Sequence, residues 1–129
     1  MDASSWVVAL LDGTQRGDVA RRVLTGDTDW AAPSHTVLEV LRTVRRYEVA
    51  GVLTREAATT FAAEVQSAQV RYHAPDPPLL DFVWRHRHNL SPYDAPYVAL
   101  AQLYAVPLVT HDERLARAAR ALGTTVVVP

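Results

Sequence analysis

Along the chain, segments that begin and end with residues typical of helix termini alternate with short runs of apolar residues. Together they predict helices separated by short strands. Ser34 is suited to begin a long helix as its N-cap, and Gly51 is suited to end it. Asp76 followed by proline is a second strong helix start, because proline is favoured at the first helical position. Helices are predicted at Ser4–Leu11, Asp18–Thr25, Ser34 to about Ala50, Thr54 to about Gln69, from Asp76, from Ser91, and Asp112–Gly123.

The segments between these helices are short runs of apolar residues without polar alternation. Strands are predicted at Asp29–Ala32, Val70–His73, Pro107–Val109 and Val126–Val128. Runs of this kind, alternating with helices, are typical of a parallel sheet that is covered on both faces. The pattern therefore predicts a single α/β domain over residues 1–129, with three α/β/α layers and a central, mainly parallel sheet of four to five strands.

The composition removes several classes of protein. The chain has 129 residues and no cysteine, which excludes disulfides, thiolate zinc sites and cysteine nucleophiles. All 13 basic residues are arginine, so neither a Walker-type phosphate loop nor a phosphorelay receiver site has the lysine it needs. No apolar run reaches transmembrane length and no signal peptide is visible. We therefore expect a cytoplasmic protein without a membrane partner.

The net charge of −1 is low for a nucleic-acid-binding protein, which is usually basic. Four of the 14 acidic residues, however, are candidates for one shared site: Asp2, Glu39, Asp94 and Asp112. Without them, 13 arginines face 10 acids, and the remaining charge of +3 permits RNA binding.

Two of these acids, Asp94 and Asp112, lie near predicted helix starts. In an open α/β sheet such junctions converge on one edge, where ligands bind. Clustered carboxylates repel one another unless a cation joins them, because a like-charge pair at about 4 Å costs roughly 4 kcal/mol at an effective dielectric constant of about 20. The arrangement thus suggests a divalent metal and phosphate chemistry.

Each acid also has an ordinary interpretation. Asp94, third in a capping box opened by Ser91, and Asp112 could simply satisfy free N–H groups at helix starts. Glu39 could be a solvated side chain loosely paired with Arg42, and Asp2 could be disordered at the chain end.

The segments around these acids resemble those of the PIN-domain ribonucleases, in particular the VapC-type toxins of toxin–antitoxin pairs. The matching segments occur in family order: Asp2-Ala3-Ser4, Pro33 through Glu39-Val40, Leu90 through Ala95 with Tyr97 and Ala99-Leu100-Ala101, and Val109 through Leu115. The segments around Asp94 and Asp112 are the most specific, and the match at Glu39 is the weakest.

The resemblance implies a PIN-like α/β/α domain that acts as an endoribonuclease. Asp2, Glu39, Asp94 and Asp112 would hold Mg²⁺ or Mn²⁺, and the ion would activate water for in-line attack on an RNA phosphodiester. The hydroxyls of Ser4 and Thr110 would orient the carboxylates. A small antitoxin would block the site, and the protein would form a homodimer. The alternative is a PIN-like protein- or RNA-binding module without turnover.

The resemblance also implies several apolar residues before the first aspartate, which form the central strand of the sheet. Only Met1 precedes Asp2. We therefore expect either that the native start lies upstream of Met1 or that the site is poorly anchored at Asp2.

Other polar and aromatic residues have both a functional and an ordinary interpretation. Arg42, Arg45, Arg46, Arg85 and Arg87 are candidates for RNA contact, with a solvated surface as the alternative. On a helix, His86 and His88 would point away from each other, which disfavours zinc. Core packing is favoured over base stacking for Trp6, Trp30 and Trp84.

Overall fold

The computed structural model describes all residues from Met1 to Pro129 and contains seven helices and four strands. In chain order they are α1 (Ala3–Leu11), α2 (Gln15–Thr25), β1 (Trp30–Pro33), α3 (Thr36–Val49), α4 (Arg55–Ser67), β2 (Val70–His73), α5 (Pro77–Arg85), α6 (Ala95–Leu103), β3 (Leu108–Val109), α7 (Glu113–Ala121) and β4 (Val126–Val127). The predicted α/β class and the order of elements are confirmed.

Helix starts were predicted with mixed success. Thr54 and Asp76 are N-caps, as expected, and their side chains accept hydrogen bonds from Ala57 N and Leu79 N. The prediction of Ser34 as N-cap is wrong, because His35 holds that position without a side-chain bond. The chain at Ser34 instead continues the pairing of β1 with β2, since Ser34 N donates to His73 O.

The hydrophobic core consists of two clusters. One joins α1, α3 and α4 through buried residues such as Trp6, Val40 and Val44. Val40 and Val44 are four residues apart and therefore share the buried face of α3. The other cluster joins α6, β3 and α7 through residues such as Val98, Leu108 and Leu115. The two clusters hold the four segments that carry the candidate acids.

The strands form two separate parallel pairs, where the sequence predicted one continuous sheet. Trp30 lies opposite Val70 in the pair of β1 and β2, and Leu108 lies opposite Val126 in the pair of β3 and β4. The first two residues of the chain lie between the pairs. Met1 N donates to Ala31 O at 3.2 Å, and Asp2 N donates to Val109 O at 2.9 Å.

Successive residues that donate to opposite neighbours have the hydrogen-bonding pattern of a central parallel strand. Met1 and Asp2 therefore occupy the end of a strand position between β1 and β3. The rest of that position is a groove of about 630 Å³, lined mainly by apolar side chains from residues such as Ala31, Leu100 and Leu108.

The amino group of Met1 is buried at the end of this groove. Burial lowers its pKa from 8.0 to about 6, partly offset by the neighbouring Asp2 carboxylate. A charged amine is thus disfavoured at a point where a strand would carry an uncharged peptide N–H. The groove is thus an apolar space between β1 and β3 in line with Met1 and Asp2.

None of the seven helices combines the length and the apolar character that a membrane crossing requires.

Candidate active site

Asp2 is the most thoroughly anchored of the four candidate acids. Its side chain is buried, and the residue is only 4% exposed. Oδ1 accepts hydrogen bonds from Ser5 N at 3.0 Å and from Ser4 Oγ at 2.8 Å. Oδ2 accepts from Thr110 Oγ1 at 2.7 Å and lies 2.8 Å from Ser4 Oγ. The interpretation of Asp2 as a disordered terminal residue is therefore wrong.

Thr110 connects Asp2 to the start of α7. It is fully buried directly after β3, and its hydroxyl donates to Asp2 while accepting from Asp112 N at 2.9 Å. Ser4 Oγ lies 3.4 Å from Thr110 Oγ1 and accepts from His111 N. The two hydroxyls predicted to orient carboxylates thus contact Asp2, and they also accept from the backbone N–H groups of His111 and Asp112.

Glu39 lies on the first turn of α3 and is held by an aromatic side chain. Tyr97 OH donates to Glu39 Oε2 at 2.6 Å and lies 2.8 Å from Thr36 Oγ1. Burial raises the pKa of the Tyr97 phenol above its ordinary value, and the hydrogen bond to Glu39 raises it further. The phenol therefore stays protonated and remains a donor. The alternative pairing of Glu39 with Arg42 does not occur.

Asp94 lies in the turn before α6, which begins at Ala95, four residues after the predicted start at Ser91. The Ser91 hydroxyl nevertheless accepts from Asp94 N at 3.1 Å, which is the bond that the predicted capping box requires. Its side chain makes no capping bond to the helix, but Oδ2 accepts from Ser91 Oγ at 2.8 Å. Arg114 Nη2 also donates to Oδ2, at 2.6 Å. The interpretation of Asp94 as a simple helix cap is thus not supported by its contacts.

Asp112 is a genuine N-cap. Oδ1 accepts from Arg114 N and Leu115 N at 2.8 and 2.9 Å. Its other oxygen, Oδ2, lies 3.8 Å from the guanidinium of Arg114. Arg114 therefore lies between Asp94 and Asp112, while Thr110 connects Asp112 with Asp2.

The chemistry of these donors fits a hard divalent cation. Asp94 Oδ1, Glu39 Oε1 and Asp112 Oδ2 accept no hydrogen bond, so each keeps lone pairs for a ligand. Carboxylate oxygens are the ligands that Mg²⁺ and Mn²⁺ prefer. In this structure, however, no group of three or more His, Asp or Glu side chains has the geometry to hold a metal ion.

His111 is a neighbour of the site that sequence reasoning did not single out. Nδ1 lies 3.3 Å from Ser5 Oγ, and the buried Nε2 has no hydrogen-bond partner. Burial lowers the pKa of the imidazole, and the charge of Arg16 lowers it further. Tyr97 and Arg114, which contact Glu39 and Asp94, were not singled out either, although all three belong to the matching segments.

The five arginines predicted to contact RNA are all exposed and form no ion pair: Arg42, Arg45, Arg46, Arg85 and Arg87. Trp6 is buried and Trp30 half-buried, but Trp84 is 70% exposed, so its prediction as a core residue is wrong. The guanidinium of Arg87 lies 4.8 Å from the centre of the Trp84 ring. His86 and His88 lie in the turn after α5, not on a helix as assumed.

Comparison with known proteins supports the resemblance noted in the sequence. The PIN domain model matches residues 1–121. Ribonuclease VapC3 of Mycobacterium tuberculosis is 36% identical over 126 residues, which cover 95% of this chain and 90% of that protein. Ribonuclease VapC9 of the same organism is 35% identical over 130 residues, which cover 100% and 97%.

A solved structure has the same fold. The crystal structure of Mycobacterium tuberculosis VapC20, described as a sarcin–ricin loop cleaving toxin, matches with a TM-score of 0.72 at 21% identity. The match covers 99% of this chain and 97% of that one. The predicted resemblance to VapC-type PIN-domain proteins is confirmed.

Proposed function

The chain belongs to the PIN domain family, and on that basis we propose that it is a metal-dependent endoribonuclease, the toxin of a toxin–antitoxin pair. The observation that carries the proposal is Asp2, a buried carboxylate that accepts bonds from Ser4, Ser5 and Thr110. A buried carboxylate is costly unless it is paired or coordinates a metal. Asp2, Glu39, Asp94 and Asp112 are the proposed ligands.

The residues of the chain position these ligands. Thr110 and Ser4 fix the orientation of Asp2, and Tyr97 fixes that of Glu39. Partners of this kind hold ligand side chains in one orientation and so favour metal binding. Bound Mg²⁺ or Mn²⁺ would supply an activated water and would neutralise charge on the phosphate.

RNA binding would use the exposed arginines. Arg42 and Arg46 are four residues apart on α3, which also carries Glu39, and Arg85 and Arg87 precede Asp94 in the chain. Because none of them is paired with an acid, their guanidinium groups are available to phosphates, which are the commonest protein contacts on nucleic acids.

We propose for this chain the two partners that the resemblance to VapC-type toxins implies, a small antitoxin and a second copy of the chain. Leu80 and Trp84 on α5 and Leu103 on the neighbouring α6 are 51%, 70% and 71% exposed. Exposed apolar side chains on adjacent helices favour association with another protein.

A second candidate function is a PIN-like binding module without turnover. It is favoured by the observation that no three acidic side chains gather in metal-binding geometry. The two candidates differ in whether the protein cuts RNA, which one experiment decides.

Purified protein incubated with total RNA and Mg²⁺ or Mn²⁺ is expected to produce discrete fragments, and chelator is expected to stop the reaction. Asp94→Asn removes one proposed ligand and is expected to reduce cleavage by roughly a hundredfold or more. Equal cleavage by the parent and Asp94→Asn would remove Asp94 from the site. The absence of any metal-dependent fragment on a broad set of RNAs would favour the binding module.

A further inference from the structure

Arg114 is the one cationic side chain that contacts two of the proposed metal ligands. Its Nη2 lies 2.6 Å from Asp94 Oδ2 and 3.8 Å from Asp112 Oδ2. The other ion pairs of the protein, Arg21 with Asp18, Arg55 with Glu48 and Arg71 with Asp29, each join a single acid to a single arginine away from these four ligands.

The local structure brings the guanidinium to this place. Asp112 caps α7, and its Oδ1 accepts from the backbone N–H of Arg114. The backbone of Arg114 is therefore close to the Asp112 carboxylate. Asp94 is held from the other side by Ser91. The two carboxylates come from different segments, and the guanidinium is the cation that offsets their charges.

A divalent ion and this guanidinium would compete for the same carboxylates. The side chain of Asp94 is 16% exposed, whereas that of Arg114 is 60% exposed and can turn into solvent. Exposed ion pairs are weak, and a doubly charged ion held by several carboxylates binds them more strongly than one guanidinium does. Displacement of the arginine therefore costs little compared with metal binding.

We propose that Arg114 is a built-in counter-ion that holds Asp94 and Asp112 together in the metal-free protein and that the divalent metal displaces. The proposal rests on the proposed function, since it takes both acids as ligands. Arg114 acts here as a positioning residue. It stabilises the metal-free site and, by the same interaction, weakens the affinity of the site for metal.

The test is Mn²⁺ binding without RNA, measured by calorimetry on the parent, Arg114→Gln and Arg117→Gln. Arg117 lies one turn further along α7, is exposed and has no acidic partner, so its replacement removes the same charge without the contact. We expect Arg114→Gln to lower the Kd for Mn²⁺ about three- to fivefold, the effect of losing one largely exposed ion pair. Arg117→Gln should change it less than about twofold.

Thermal melts in chelator give the second readout. Arg114→Gln should melt below the parent in chelator, because the two carboxylates lose their counter-ion, and this deficit should disappear at saturating Mn²⁺. A purely structural role would lower both melts equally and leave the Kd unchanged. Arg114→Met, which also removes the charge, serves as a second variant if the glutamine variant does not fold.

The outcomes separate this inference from the function on which it rests. A parent that binds no Mn²⁺ would overturn both. A parent that binds Mn²⁺ with a Kd equal to or lower than that of Arg114→Gln would overturn the role of Arg114 alone. An equal decrease of the Kd for Mn²⁺ in Arg114→Gln and Arg117→Gln would show an effect of net charge alone, and it would likewise overturn the role of Arg114.

Discussion

Asp2→Asn is expected to abolish most RNA cleavage and to destabilise the metal-free fold by about 1–3 kcal/mol. Both oxygens of Asp2 accept hydrogen bonds in a buried position, from Ser4 and Ser5 on one side and from Thr110 on the other. An amide group replaces one acceptor by a donor, which leaves a buried hydroxyl or N–H without its partner. It also removes the charge that a divalent ion requires, so cleavage should fall by roughly a hundredfold or more.

Cleavage by Asp2→Asn is measured below the melting temperature of the variant, so that loss of fold does not imitate loss of chemistry. Asp76→Asn is the matched control, because Asp76 caps α5 through Leu79 N and lies outside the site. It should lose less than about 1 kcal/mol of stability and retain cleavage. A fully active Asp2→Asn protein would show that Asp2 has only a structural role.

An apolar segment attached in front of Met1 is expected to raise the melting temperature by roughly 10 °C. Four valines would extend the strand that Met1 and Asp2 end and would fill the groove between β1 and β3. Each buried valine contributes about 1.5–3 kcal/mol, against about 1–2 kcal/mol for ordering one residue, so a net gain of about 3 kcal/mol is expected. Cleavage should rise as well, because Asp2 would follow a complete strand.

A polar extension of four alternating glycine and serine residues is the control for this experiment. It also replaces the buried amine of Met1 by a peptide N–H, so any gain in stability from removing that amine occurs in both extended proteins. It has, however, no apolar side chains to fill the groove. The valine variant should melt well above it. Equal melting temperatures in the two extended proteins would show that the groove does not accept a strand.

Much of the fold could be predicted from the sequence because its signals are local. Thr54 and Asp76 begin their helices as predicted, since an N-cap depends on residues within one turn. The division of the sheet could not be predicted from the strands themselves. Each strand is recognisable from its own residues. The gap between β1 and β3 is visible only in the folded structure, where Met1 lies between them.

The candidate site was predictable to the level of its motifs, but its contacts were not. Asp112 looked like a helix cap and is one, yet its second oxygen faces Arg114. The ordinary interpretation of Glu39 paired it with Arg42 on its own helix, whereas its partner is Tyr97, which lies 58 positions away in the chain. Contacts between such distant segments depend on how the helices pack, and helical periodicity alone does not contain that information.

The exposure of Trp84 shows the same limit from another direction. A large aromatic residue on an apolar stretch is usually buried, but Trp84 lies four residues after the exposed Leu80 and shares its outer face of α5, whereas Phe82 and Val83 pack against the core. Burial was predicted from residue type, and the face of the helix decided the outcome.

The central claim, that four carboxylates form one divalent-metal site, is tested most directly by thermal melts of the parent and Asp94→Asn, each in chelator and in Mn²⁺. This measurement needs no knowledge of the RNA target. At an ion concentration about a hundredfold above the Kd, the parent should gain about 2.7 kcal/mol, and Asp94→Asn should lose most of that gain. In chelator the two proteins should differ little, because the variant loses its bond to Arg114 but also a like charge near Asp112. An equal response to Mn²⁺ in both proteins would contradict the shared site and leave the acids as unconnected charges.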